Sequence, residues 1–201
     1  MSEYIKFSCE CVAARIASFS GLAELNAYRT KLMGLHLIGV DSNGVGFGNL
    51  SVRDGATDNF YITGSATGGL HELNVADCAK VVACDCPANR VRYEGSIIPS
   101  SESLTHAAIY KSEPTAGAVI HFHCTKLWAA LLNQAPTASK GAEYGTPELA
   151  YEIIRLFVRT DAPSRKIVVM AGHKAGILTF GKDFEEAFAI LIRERTRIYP
   201  E

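Results

Sequence analysis

The chain has no surplus of charge. Its 201 residues carry 20 Lys+Arg against 21 Asp+Glu, a formal net charge of −1. A general nucleic-acid binder needs clustered positive charge to displace counterions, and no basic run is present. Apolar runs are short as well: none approaches the roughly 20 residues required to cross a bilayer. The opening MSEYIKFSCE has acids where a secretory leader would carry positive charge, and no clean apolar stretch follows it. These absences predict a cytoplasmic protein with neither nucleic-acid nor membrane partners. No repeat, low-complexity segment or linker divides the sequence, so residues 1–201 are expected to form a single domain. At 48% hydrophobic content there is ample material for a core and too much for a disordered protein.

Metal knuckles and nucleotide loops are missing too. Neither Cys9-x-Cys11 nor Cys84-x-Cys86 has the C-x2-C spacing of a structural zinc site. With Cys78 and Cys124 they make six cysteines, which a reducing compartment favours as small buried hydrophobes. Gly44-x-Gly46-x-Gly48 runs into the strand-like Asn49-Leu-Ser-Val-Arg53, without the helix a dinucleotide site needs. Thr63-Gly-Ser65-Ala-Thr67-Gly-Gly69 lacks the Gly-Lys-Ser/Thr ending of a nucleotide phosphate loop. Both read as turns that could also lend hydroxyls and amides to an anion.

What is present is a mixture of helical and strand-like segments. Ile5, Cys9, Val12 and Ile16 recur at three- and four-residue steps and predict an opening amphipathic helix. A second helix is expected over Gly21–Lys31. Short β-like runs follow at Phe47–Arg53, Asn59–Thr63, Ala79–Cys84 and Arg90–Tyr93, punctuated by Gly, Asn and Asp. Ser101–Ser112 reads as a helix and Ala116–Cys124 as a buried strand. Thr125–Leu132 and Pro147–Arg159 read as helices, Lys166–Ala171 and Ala175–Phe180 as strands around a tight turn. A last helix begins near Asp183, with Phe184, Phe188, Leu191 and Ile192 as its apolar stripe. The pattern implies a layered α/β domain with a largely antiparallel sheet and helices at both ends.

Three pieces could carry chemistry. In Ala116-Gly-Ala-Val-Ile-His121-Phe-His123, residues two apart on a strand share a face, so two imidazoles stand side by side. That presentation suits one metal ion, and equally two hydrogen-bonded core histidines. Gly172-His173, between two strands, offers a third ligand, and three His with an open position is a catalytic zinc pattern. Pro99-Ser100-Ser101-Glu102 opens a helix. Glu102, in its first turn, either complements the helix dipole or acts as a base beside the metal. The same terminus could hold a phosphate. His106, one turn on, shares that face; His36 and His71 have no partner in sequence.

In order along the chain, Gly48-Asn49-Leu50-Ser51-Val52-Arg53, Ile62-Thr63-Gly64-Ser65, Pro99-Ser100-Ser101-Glu102, Thr105-His106, Ala118-Val-Ile-His121-Phe-His123, Gly172-His173 and Gly181-Lys-Asp-Phe-Glu-Glu-Ala187 resemble the class II aldolase/adducin family. The likeness is to its fuculose-phosphate-aldolase-like enzymes in particular. It implies an α/β fold with a central, mainly antiparallel sheet flanked by helices. It also implies a homotetramer with sites at subunit interfaces. One Zn2+ per chain is implied, held by His121, His123 and His173, with Glu102 as acid/base and a further contact to the metal. Phosphate contacts map onto Asn49, Thr63, Gly64, Ser65, Ser100 and Ser101. Adducin lacks the metal-binding histidines, so their presence points to an enzyme.

The implied reaction is cleavage of a ketose 1-phosphate to dihydroxyacetone phosphate and an aldehyde. The enediolate left behind carries negative charge that zinc stabilises as a Lewis acid. Two departures from the family pattern stand out. Thr-Gly-Ser-Ala replaces Thr-Pro-Ser-Gly, and the segment between Asn133 and Tyr144 is shorter, without the tyrosine that acts across the interface. Epimerase, dehydratase or decarboxylase chemistry would use the same scaffold. A Schiff-base aldolase would instead need Lys174, and a metal-stabilised interaction protein would turn over nothing.

Overall fold

The computed structural model describes residues 5–199. The segment opens with strand β1 (Ser8–Ala13) and helix α1 (Leu22–Gly34). A short hairpin of two-residue strands, β2 (Gly39–Val40) and β3 (Gly46–Phe47), leads into β4 (Asn49–Arg53) and β5 (Phe60–Thr63). Next come β6 (Cys78–Asp85), β7 (Arg90–Glu94), α2 (Ser103–Ser112) and β8 (Ala118–His123). Then follow α3 (Thr125–Leu131), β9 (Thr137–Ala138), α4 (Pro147–Arg159) and the single turn α5 (Ala162–Arg165). The described chain closes with β10 (Ile167–Met170), β11 (Gly176–Gly181) and α6 (Phe184–Ile198). Asp183 caps α6 through its side chain, which accepts the Glu186 N–H at 2.8 Å. None of these helices is long and apolar enough to cross a membrane.

Nine strands form one sheet in the order β1-β7-β6-β5-β4-β8-β11-β10-β9. Only the two edge pairings, β1 with β7 and β10 with β9, are parallel. The rest are antiparallel, as the short, turn-punctuated runs predict. Alternation along the central strands divides the interior into two layers. Val119, Leu178 and Phe180 pack with Leu104 and Ile109 of α2 and Leu149, Ile153 and Leu156 of α4. On the opposite face Leu50, Ile120, Phe122 and Ile177 pack with Leu25 and Leu32 of α1, Leu127 of α3 and Leu191 of α6. Helix, sheet and helix layers therefore enclose the sheet.

The opening amphipathic helix is not formed. Ser8–Ala13 is an edge strand in register with β7, Cys9 opposite Val91 and Cys11 opposite Tyr93. Ile5 and Cys9 pack on the α2–α4 side of the sheet, whereas Ile16 packs on the other, so the apparent stripe is never one face. Tertiary pairing overrides the local period here. All six cysteines are free, as a reducing compartment implies; Cys78 is buried, Cys9, Cys84, Cys86 and Cys124 are half-buried against the core, and Cys11 alone departs from expectation by being exposed.

Beneath the α2–α4 layer a polar chain crosses the core. The Ser51 hydroxyl bonds His106 Nδ1 at 2.6 Å and the Tyr110 hydroxyl at 2.8 Å, all three buried. Burial pulls His106 down to a pKa of about 3, so it stays neutral.

Gly48 joins the hairpin to β4 with φ +77°, where a Cβ would stand 2.3 Å from Ile38 Cγ2 and 3.1 Å from the His121 carbonyl oxygen. A Gly48→Ala chain is expected to lose about 1–3 kcal/mol through the left-handed backbone alone. That corresponds to a melting temperature lower by several degrees at this size. An unchanged thermal melt would show that the hairpin yields freely.

Candidate functional site

The site grows out of β8. Its outer residues Val119, His121 and His123 face the α2–α4 layer while Ile120 and Phe122 face the opposite core. Neighbouring strands set Asn49 and Leu178 on either side of His121. His173 arrives from the turn between β10 and β11. Space for it is made by glycines: a Cβ on Gly172 would lie 2.3 Å from the Ala142 carbonyl oxygen, and one on Gly176 would lie 2.5 Å from His173 Cδ2. The close approach of the Ala142 turn also brings Tyr144 against His173, ring centroids 4.7 Å apart.

His121, His123 and His173 converge so that one ring nitrogen of each lies within 4.8 Å of the others. His123 Nε2 and His173 Nε2 are 2.9 Å apart. His121 is only 2% exposed, and its Nε2 meets no partner among the described residues. Its Nδ1 lies 3.1 Å from the Asn49 carboxamide, whose Oδ1 is likewise buried and unpartnered. Turning that carboxamide over would place Oδ1 on an Nδ1–H and leave Nε2 a bare lone pair, the arrangement a metal ligand requires. Burial holds His121 well below the ordinary histidine range, reinforced by His123 and His173. It brings His123 to about 4 and, with His123 and Lys6 nearby, His173 to about 3. All three are therefore neutral at pH 7, as metal ligation demands. Lone pairs converging on one point, one of them orphaned, fit a divalent cation.

Glu102 sits at the N-cap of α2, one position ahead of the first turn in which it was expected. It is 1% exposed. Oε2 accepts from the Thr105 hydroxyl at 2.7 Å, while Oε1 has no partner among the described residues. Burial raises its pKa to about 7, held back by Thr105 and by Lys6.

Two hydroxyl-bearing segments run side by side next to it. Ser65 N–H donates to Ile98 O at 2.8 Å and Ser100 N–H to Thr63 O at 3.2 Å, around a bridge between Gly64 and Pro99. The segments meet the histidines in one cavity of about 450 Å³. Asn49, Gly64, Ser65, Ser100, Ser101, Glu102, His121, His123 and His173 all line it. Thr63 does not. Its hydroxyl is turned inward to the Leu50 N–H at 3.4 Å, so it supports the wall without forming it. His106 is also absent from the wall, and His36 and His71 are exposed. Lys174 is exposed in the turn beside His173, not buried as a Schiff-base lysine would be.

The wall also takes in parts of both glycine-rich turns, together with Phe47, Asp41 and Tyr144, which sequence reasoning does not mark. Ala66, at φ +63°, Thr67 and Gly68 continue the serine segment, and none of their amides donates to a described group. Phe47 stacks on His123 at 5.3 Å, so the Gly44–Gly48 segment becomes a lip of the cavity. Asp41 holds that lip, its Oδ1 accepting from Asn43 N–H and Val45 N–H at 2.9 Å. The Asp-Ser-Asn-Gly turn signature was the available signal for it. Tyr144 could be found only through the fold.

Residues 40–194 match the family described as the class II aldolase and adducin N-terminal domain. The chain is 30% identical over 152 residues to an L-fuculose phosphate aldolase of Methanococcus maripaludis, covering 70% of this chain and 76% of that one. Among solved structures it is similar to an L-fuculose 1-phosphate aldolase, with 27% identity and a TM-score of 0.68, over 91% of this chain and 84% of that chain. It shares the fold of a sugar-phosphate aldolase from Thermotoga maritima, with 19% identity and a TM-score of 0.61, over 87% and 90% of the two chains. The chain belongs to the class II aldolase and adducin family, as an enzyme of the aldolase kind.

Proposed function

We propose that the chain is a zinc-dependent aldolase that cleaves a ketose 1-phosphate, fuculose-phosphate-like, to dihydroxyacetone phosphate and an aldehyde. The observation that carries this reading is the meeting, in one cavity, of three neutral imidazoles, a buried carboxylate and a wall of hydroxyls and free amides. His121, His123 and His173 would hold the ion, with Glu102 as a further donor before substrate enters. Once bound, that ion supplies Lewis acidity to the substrate's carbonyl and hydroxyl oxygens, which is how charge developing on cleavage is stabilised.

The chain's own groups do the rest. Glu102 moves the proton at the carbon next to the carbonyl through Oε1, while the Thr105 hydroxyl fixes Oε2. A pKa of about 7 lets the carboxyl both accept and return a proton near neutrality. Ser65, Ser100, Ser101 and Asn49 bind the phosphate with side-chain donors, and the amides of Ala66, Thr67 and Gly68 add to them. This set needs no lysine. Tyr144 and Phe47, packed on His173 and His123, shield the imidazoles from water.

The relatives' names support the phosphorylated-ketose reading, and the exposure of Lys174 weighs against the Schiff-base one. The site is further proposed to be completed by neighbouring subunits in a homotetramer. Epimerisation, dehydration and decarboxylation remain the alternative outcomes on the same residues.

Two experiments test the reading. Metal analysis should find about one zinc-like ion per chain in wild type and a large loss in His123→Ala; equal occupancy in both would remove the metal site. Glu102→Gln should retain the metal while proton exchange on the dihydroxyacetone phosphate methylene falls about 10²–10⁴-fold. Exchange at the wild-type rate would take the acid/base role away from Glu102.

A further inference from the structure

One buried cation lies outside the residues assigned so far. Arg29, on α1, is 1% exposed. A guanidinium taken out of water ordinarily meets a carboxylate, yet among the described residues none lies within ion-pair distance of it. Its fork is spent on main-chain carbonyls instead. Nη2 donates to Thr67 O at 2.6 Å, Gly68 O at 2.9 Å and Leu70 O at 2.6 Å, and Nε donates to Leu70 O at 2.8 Å. Asn26, one turn earlier on α1, clamps the same loop further along by exchanging two bonds with Leu73.

The consequence for the cavity follows from peptide geometry. In a trans peptide the C=O and N–H point in opposite directions. Turning the Thr67 and Gly68 carbonyls onto Arg29 therefore aims the N–H groups of Gly68 and Gly69 away from it. Thr67 and Gly68 belong to the cavity wall. The amides of Ala66, Thr67, Gly68 and Gly69 donate to no described group. The Thr67 hydroxyl ties the start of the loop by donating to Gly64 O at 2.8 Å. Peptide dipoles are thus lined up with negative ends on a fixed cation and positive ends left for an anion. Burial works against the charge on Arg29, while Cys78 and Asp77 lie near enough to favour it, and arginine remains protonated in proteins.

We infer that Arg29 is the positioning residue of the anion site. Its fork fixes the Thr67, Gly68 and Leu70 carbonyls so that the amides on the opposite side of those peptides bind a phosphate monoester, and its charge adds a positive field behind them. This rests on the reading of the cavity as a sugar-phosphate site. It adds a requirement that hydroxyls alone would not impose.

Isothermal titration of inorganic phosphate into the metal-loaded protein tests it, with zinc content measured on every sample. Arg29→Gln is expected to weaken phosphate binding on the order of tenfold. Arg29→Lys, which keeps the charge but loses the fork, should fall between it and wild type, and zinc content should stay constant. Arg53→Gln is the matched control. Arg53 also holds main-chain carbonyls, those of Ala116, Tyr110, Glu113 and Thr57, with Asp58 beside it, but at the opposite end of α2 from Glu102 and the cavity. Its loss should leave phosphate affinity unaltered. Wild-type affinity in Arg29→Gln, or an equal loss in Arg53→Gln, overturns the inference while leaving the phosphate reading intact. Should Arg29→Gln not fold, wild-type affinity in Arg29→Lys overturns it equally. A wild-type protein that binds no phosphate overturns both.

Discussion

The two-residue period of β8 is the constraint on which the site depends. Held between β4 and β11, this strand uses both of its hydrogen-bonding edges, so its register is not free. His121 and His123 face one layer because Ile120 and Phe122 fill the other. A slip of one residue would drive both imidazoles into the apolar layer under α1, α3 and α6 and carry Phe122 to the cavity. The hydrophobic core is thus what orients the polar site. His173 is placed by the same sheet, since its turn leads directly into β11.

Burial then does two opposite things with one physical cause. Loss of water penalises whichever form of a group is charged. It lowers the histidines and raises Glu102, so the cavity is lined by groups near neutrality. Such a lining is receptive to charge brought by a ligand. Lone pairs at one end suit a cation, and free amides at the other suit an anion. The near-zero net charge of the chain is consistent with this arrangement. The fixed positive charge behind the proposed anion end, Arg29, is buried and solvated by main-chain carbonyls.

How much of this was legible in the sequence depended on how local the cause was. His121 and His123 were readable because a strand period decides their relative direction whatever surrounds them. Ser100–Ser101–Glu102 is readable as a helix entry, although the helix starts two positions later than its pattern suggests. Thr63 is harder to read: its place beside Gly64 and Ser65 gives no sign that its hydroxyl turns toward the Leu50 N–H on the neighbouring strand and stays out of the cavity wall. The opening segment failed for a related reason, since four apolar positions cannot distinguish one helical face from two faces of a sheet edge. Tyr144, Phe47 and Arg29 could not be found at all. Each reaches the site through contacts tens of residues away, and no periodicity records such a contact.

The order of groups along the chain also bears on the order of atoms in the proposed substrate. Ser100, Ser101 and Glu102 are consecutive, so the proposed phosphate donors and the proposed acid/base carboxyl are neighbours by covalent connection. Thr105 fixes the outer oxygen of that carboxyl, leaving Oε1 as the unpartnered atom. A substrate whose phosphate rests on the serines must therefore present its reacting carbon within a few bonds of that phosphate. A ketose 1-phosphate meets this condition: phosphate, carbonyl and proton-bearing carbon follow one another along its first three carbons. A sugar phosphorylated at its far end would have to fold back to satisfy both contacts, losing conformational freedom on binding. The spacing of three adjacent residues thus favours phosphorylation next to the carbonyl, and leaves the remainder of the sugar to the lip formed by Phe47 and the wall formed by Tyr144.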